Sequence, residues 1–221
     1  MARQLTFDWP TGVALGAEDF FVADANRTAY DMLAEPARWP LGKLVLTGPE
    51  GSGKSHLARV FAASRDAVVL HADALPADRH PQTATVVEDM DRLPRASEEA
   101  MFHLHNHLAA HRLPLLMTAR SLPGRWPIAL PDLASRMQAT TPAAIDAPDD
   151  ALLQALLMKL FADRQLTLAP DVAAYLMPRI ERSFAGAQRI VADLDAAALA
   201  EKRAITVRLA AQVLDKQGDL L

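Results

Sequence analysis

Residues 48–55 read Gly48-Pro49-Glu50-Gly51-Ser52-Gly53-Lys54-Ser55, which fits the spacing G-x-x-x-x-G-K-[ST] of a phosphate-binding loop. Its glycines allow the backbone to turn N–H groups inward on the β- and γ-phosphates of a nucleotide. Lys54 adds positive charge there, and the Ser55 hydroxyl can ligate Mg²⁺. Gly48, Pro49, Gly51, Ser52, Gly53, Lys54, Ser55 and His56, which follows the loop, are therefore expected to contact bound ADP or ATP.

Such a loop works only with a strand leading in and a helix leading out. Residues 43–47 are short and apolar, and residues 55–63 carry Leu57, Val60 and Phe61 at helical spacing. The chemistry also needs an acid at the end of a neighbouring strand, to hold Mg²⁺ or its waters and to orient the attacking water. Val86-Val87-Glu88-Asp89 fits that role, with Glu88 and Asp89 as the expected catalytic acids and Ser55 and Glu88 as the expected metal ligands. The alternative is a strand end at which the same two residues only cap a turn. A glutamate carries its carboxylate one methylene further out than the usual aspartate. Because Mg²⁺ geometry is strict, intrinsic hydrolysis is expected to be weak or absent.

Two further positions are candidates for phosphate chemistry. Leu116-Met117-Thr118-Ala119-Arg120 ends another apolar run, so Thr118 or Arg120 could sense the γ-phosphate if this strand lies beside the loop strand. Otherwise Thr118 satisfies local backbone and Arg120 opens a surface loop. Leu130 to Arg136 reads as a short helix holding Arg136 at its exposed end, away from the chain's own nucleotide. There it either joins a surface ion pair or acts in trans on a neighbour's γ-phosphate. His103, His105, His107 and His111 include i, i+4 pairs, but no HExxH pattern accompanies them, and a solvated helix face is expected rather than a metal site.

These residues need a parallel sheet to position them. After the loop strand, residues 67–71, 83–88, 115–119 and 143–146 are further strand candidates, with residues 97–111 the clearest helix between them. Beyond Pro148 the strand signals stop. Leu152, Leu153, Leu156, Leu157, Leu160 and Phe161 mark one helix, with Asp149 or Asp150 as N-cap, and residues 171–180, 184–202 and 206–214 supply three more. The expected fold is thus α/β, a nucleotide-binding core with a five-stranded parallel sheet over residues 20–147, then a small all-α lid over 148–221. Residues 1–19 form a tail. The 221-residue chain has no cysteine, a formal charge of −4, no secretory leader pattern and no long apolar run. Disulfides, thiolate metal sites, strong direct DNA binding and membrane spanning are disfavoured, and a cytoplasmic protein is expected.

Taken in order, these stretches resemble the AAA+ family, and within it the bacterial replication initiators. Residues 20–30 resemble the initiator segment that lines the adenine pocket, and the order of phosphate loop, acidic strand end, Thr118-Ala119-Arg120, Arg136 and helical lid follows the same pattern. The likeness spans residues 20–214. Initiators continue into a helix-turn-helix domain, for which the seven residues after Leu214 leave no room. A lone initiator-like module is similar to the Hda family, regulators that promote hydrolysis of ATP bound to the initiator DnaA. That resemblance implies docking on the DNA polymerase III β sliding clamp, and Gln4-Leu5-Thr6-Phe7 resembles the clamp-binding peptide, with Gln4, Leu5 and Phe7 as contacts. It also implies Arg136 as a finger in trans, a role compatible with a homo-oligomer. The family's lid arginine aligns with Ala185, so Arg182 or Arg189 is expected to substitute at the nucleotide. A self-sufficient ATPase of the DnaA or DnaC kind, acting in initiation or helicase loading, is the alternative.

Overall fold

A computed structural model describes residues 21–77 and 80–218. Its sheet has five parallel strands, β1 (Lys43–Thr47), β2 (Val68–His71), β3 (Thr85–Glu88), β4 (Leu115–Ala119) and β5 (Thr141–Ala144), in the order β2-β3-β4-β1-β5. The first four fall where the apolar runs predict them. The fifth begins two residues earlier than expected, at Thr141, and includes Pro142. Proline is tolerated there because β5 pairs only with β1, so its missing N–H faces no ladder.

All five residues of β1 are buried, as befits a strand covered on both faces. Side chains alternate across the pleat: Leu44 and Leu46 pack with Leu57 and Phe61, whereas Val45 packs on the opposite face with Met101, Leu104 and Met137. The first face is covered by α1 (Asp24–Ala34) and α2 (Lys54–Arg65). The second is covered by α3 (Glu98–Ala110) and α4 (Pro131–Gln138).

A third core, drawn from residues between Leu153 and Val213, belongs to four helices, α5 (Asp150–Asp163), α6 (Pro170–Leu176), α7 (Phe184–Glu201) and α8 (Val207–Gly218). Asp149 is the N-cap of α5, its carboxylate accepting from the Leu152 N–H at 2.7 Å. Helix α5 faces two cores at once. Leu152 joins the cluster of the sheet, Leu153 and Leu157 join the helical one, and Leu156 touches both. The cleft between sheet and lid is therefore joined by apolar contacts of α5 and of Phe184 at the start of α7.

The histidines do not share one solvated face. His103 is exposed and His107 hydrogen-bonds the Pro81 carbonyl at 2.8 Å, but His105 is 5% exposed and its Nδ1 has no hydrogen-bond partner. Among the described residues, no cluster of three or more His or acidic side chains is arranged to hold a metal ion. Burial first, then the charges of Lys43 and Arg136, push the His105 pKa down from 6.5 to about 4. The folded protein therefore keeps His105 neutral where the unfolded chain protonates it. The stability this confers is complete above pH 6.5 and is lost as pH falls through that value toward about 4. Urea titrations at pH 7 and pH 4 should show wild type losing more stability than His105→Leu, by an amount on the order of 3 kcal/mol. Equal losses in the two proteins would exclude His105 as the source.

Candidate functional site

The phosphate loop fills the turn between β1 and α2, and two of its residues require left-handed backbone: Gly51 at φ 77° and Gly53, the N-cap of α2, at φ 89°. Lys54 follows immediately and is buried. Its Nζ donates to the carbonyls of Gly48 at 2.8 Å and Pro49 at 2.7 Å, which holds the ammonium under the loop. Burial, and next the Arg120 guanidinium, lower the Lys54 pKa, while Asp89, Asp91 and Glu50 act in the opposite direction. Added negative charge in the loop would strengthen that opposing pull.

The sheet brings the acidic strand end to the same place. Ser55 Oγ donates to Glu88 Oε2 at 2.5 Å, joining the two expected metal ligands. The longer glutamate side chain lets a carboxylate based on β3 reach a hydroxyl on α2, across the strand inserted between β1 and β3. Serine and carboxylate oxygens are hard donors suited to Mg²⁺, which normally takes one or two protein oxygens and completes its shell with phosphates and water. The donor set fits that ion. Asp89 is half-buried in left-handed conformation at φ 60°, and its backbone N–H donates to Thr118 Oγ1 at 3.1 Å. Thr118 is thus tied to the neighbouring strand, and it is 1% exposed. Arg120 pairs with Glu50 of the loop at 3.0 Å, and its backbone N–H donates to Asp91.

Above the loop a cavity of about 280 Å³ opens between sheet and lid. Phe21, Leu152, Leu156 and Phe184 supply apolar walls. Gly51, Ser52, Gly53 and His56 form the floor, and Asn26 lies at the edge. Asn26 is buried and fixed, accepting from the Ala23 N–H and donating to the Phe21 carbonyl, both at 2.9 Å, which locks the entry into α1. A cleft with apolar walls that leads onto a loop of backbone N–H groups suits a nucleoside with its phosphates.

The lid reaches the loop through a residue the sequence did not single out. A Cβ built on Gly51 would stand 2.8 Å from Gln188 Nε2, so the Gln188 amide lies directly over the loop. Arg182 and Arg189 do not line the cavity. Arg182 precedes the Ser183 N-cap of α7 and pairs with Asp150, and Arg189 pairs with Glu181 at 3.7 Å. Helical spacing placed these arginines near Ala185, but it could not foresee the acids that hold them.

Arg136 lies far from the loop, at the exposed end of α4. Thr140 Oγ1 donates to the Arg136 carbonyl at 3.0 Å and Thr141 pairs with Leu44, so Arg136 sits by the start of β1, whereas the loop follows Thr47 at the other end of that strand. Four intervals of roughly 3.3 Å put about 13 Å between those ends. Gln4, Leu5 and Phe7 lie outside the described residues.

Residues 149–214 match the family described as "Hda, lid domain". Among solved structures, the chain is similar to domain III of the Thermotoga maritima replication initiation protein DnaA. The TM-score is 0.72 at 15% identity, and the match covers 90% of this chain and 95% of that one. AMPPCP-bound DnaA from Aquifex aeolicus matches at TM-score 0.63 and 17% identity, covering 78% of this chain and 62% of that one. The Thermotoga maritima RuvB Holliday junction branch migration motor matches at TM-score 0.61 and 17% identity, covering 86% and 66%. These likenesses establish an AAA+ α/β fold followed by a helical lid.

The cradle makes a direct demand on Gly51. In Gly51→Val the side chain would meet Gln188 and the backbone would be strained at positive φ. Titration with a fluorescent ADP should show affinity lowered about tenfold or more. Undiminished affinity would mean that the loop does not hold the phosphates.

Proposed function

Because the chain is an Hda-type, DnaA-related AAA+ protein, we propose that this replication regulator works in the cytoplasm as a nucleotide-controlled partner of the initiator. It binds ADP or ATP in the cleft between sheet and lid, with Gly48, Pro49, Gly51, Ser52, Gly53 and Lys54 around the phosphates and His56 beside them. Ser55 and Glu88 hold Mg²⁺ there, and Asp89 and Thr118 form the wall that faces the terminal phosphate. Gln4, Leu5 and Phe7 dock on the DNA polymerase III β sliding clamp. Arg136 is presented to ATP bound by DnaA, promotes its hydrolysis and so restrains initiation.

The observation that carries this reading is the separation of Arg136, just before the start of β5, from the chain's own phosphate loop by the length of β1. A guanidinium so placed cannot serve the nucleotide of its own cleft, yet it is exposed and open to a neighbour. Delocalised positive charge against a developing γ-phosphate charge is worth about 10³–10⁵ in rate when the site is dry. The lid supports the same division of labour. Arg182 and Arg189 are held in ion pairs, so the cleft's own nucleotide receives only Gln188 and Phe184 from α7.

The test is hydrolysis of DnaA-bound ATP in the presence of clamp loaded on DNA. Arg136→Ala should reduce the stimulation by roughly 10³-fold while leaving ADP affinity unchanged. Gln4→Ala with Leu5→Ala should abolish clamp capture and spare nucleotide binding. Full stimulation by Arg136→Ala would remove the finger, and unchanged clamp capture would remove the docking peptide. Steady turnover by the isolated protein would favour a self-sufficient ATPase.

A further inference from the structure

The face that carries Arg136 is unusual in its charges. Lys43 is 2% exposed at the start of β1, His105 lies buried on α3, and both feel the Arg136 charge. Among the described residues, no carboxylate lies within ion-pair distance of Arg136 or Lys43. Arg120, Arg182 and Arg189, by contrast, each hold an acid. What Arg136 does touch is a ring: its Cζ lies 5.1 Å from the centroid of Phe102, a half-buried side chain of α3 packed against the core of the second sheet face.

An arginine that must reach a partner's phosphate has two competing requirements. It has to be held in place, because an arginine side chain has many rotamers to lose on docking. It also has to keep its full charge, which a carboxylate partner would neutralise and would then have to release. An aromatic face meets both requirements, attracting the cation through its quadrupole and leaving the outer face of the guanidinium open. Lys43 and His105 lie buried behind it, and Asp132, one turn before Arg136 on α4, makes no ion pair with it.

We propose that Phe102 is a positioning residue for Arg136, holding the guanidinium over its ring, with no carboxylate paired to it, so that it is presented outward, ordered and unneutralised. The inference rests on the reading of Arg136 as a group that acts on a partner's nucleotide, and it adds the residue that aims it. Nothing in the sequence pairs these two positions; the packing of α3 against α4 does.

The contact can be tested apart from the reaction. In the full chain, ring-current displacement of the Arg136 Nε–Hε resonance, assigned by its loss in Arg136→Lys, should be present in wild type, absent in Phe102→Leu and restored in Phe102→Tyr. Stimulation of DnaA-bound ATP hydrolysis should fall by roughly two- to fivefold in Phe102→Leu, the ratio expected for a surface cation–π contact, and return in Phe102→Tyr. Thermal stability and ADP affinity should not account for the difference, so both variants are compared at matched folded fraction. If the resonance shift disappears in Phe102→Leu and stimulation does not change, the positioning role is refuted while Arg136 stands. If Arg136→Ala itself leaves stimulation intact, the reading of Arg136 fails, and the inference fails with it. A wild-type resonance at its random-coil position would remove the contact.

Discussion

The insertion of β4 between β1 and β3 is the constraint on which the site depends. With parallel registers pairing Leu46 to Thr118 and Val87 to Met117, the carboxyl ends of three strands come level. The phosphate loop, Glu88 with Asp89, and Thr118 with Arg120 then emerge along a single edge, which is where open parallel sheets bind ligands. Two hydrogen bonds fasten these pieces across the strands: Ser55 to Glu88, and the Asp89 N–H to Thr118. A register slip of one residue would turn Thr118 to the other face of the sheet and break the second.

The two ends of the sheet differ in charge as well as in geometry. At the carboxyl edge, Glu50, Glu88, Asp89 and Asp91 surround Lys54 and Arg120, so the cations there are already balanced. At the amino edge, the Arg136 charge bears on buried Lys43, His105 beside them is neutral, and among the described residues neither cation holds a carboxylate. The first arrangement suits a bound nucleotide accompanied by a divalent ion, whose positive charge balances the surplus acid. The second is costly in isolation, since a buried lysine without a carboxylate loses hydration and gains repulsion. An anion brought by a partner would relieve that cost.

How much of this could be read from sequence depended on whether the signal was local. The phosphate loop carries its geometry in eight consecutive residues, and the apolar runs before Glu88 and Thr118 mark strand ends directly. The N-cap of α5 was legible as Asp149 or Asp150 for the same reason, and the structure selects Asp149. The start of β5 was not, because Pro142 argues against a strand unless one knows that the strand lies at an edge. Burial of His105, the ion pairs that occupy Arg182 and Arg189, and the approach of Gln188 to Gly51 all arise from packing between elements distant in sequence. Helical spacing alone cannot choose between neighbouring side chains that point to the same side, and here Gln188 rather than Arg189 faces the loop.

That choice bears on what a bound nucleotide can do to the lid. A ligand shifts a conformational equilibrium only through contacts that differ between the states. From α7 the cavity receives Phe184 and the neutral amide of Gln188, and the charges of Arg182 and Arg189 are spent on acids outside it. Cationic charge near the cleft comes from Lys54 under the loop, on the sheet side, and from Lys159 of α5, which lines the cavity beside Asp163. The rest of the cavity is lined by Phe21 and Asn26 of the core and by Leu152, Leu156 and Phe184 of the lid helices. From α7 the cleft gains no charge with which to tell two phosphates from three. On the proposed reading, the response to a partner's third phosphate belongs to Arg136, at the other end of the sheet from this cleft.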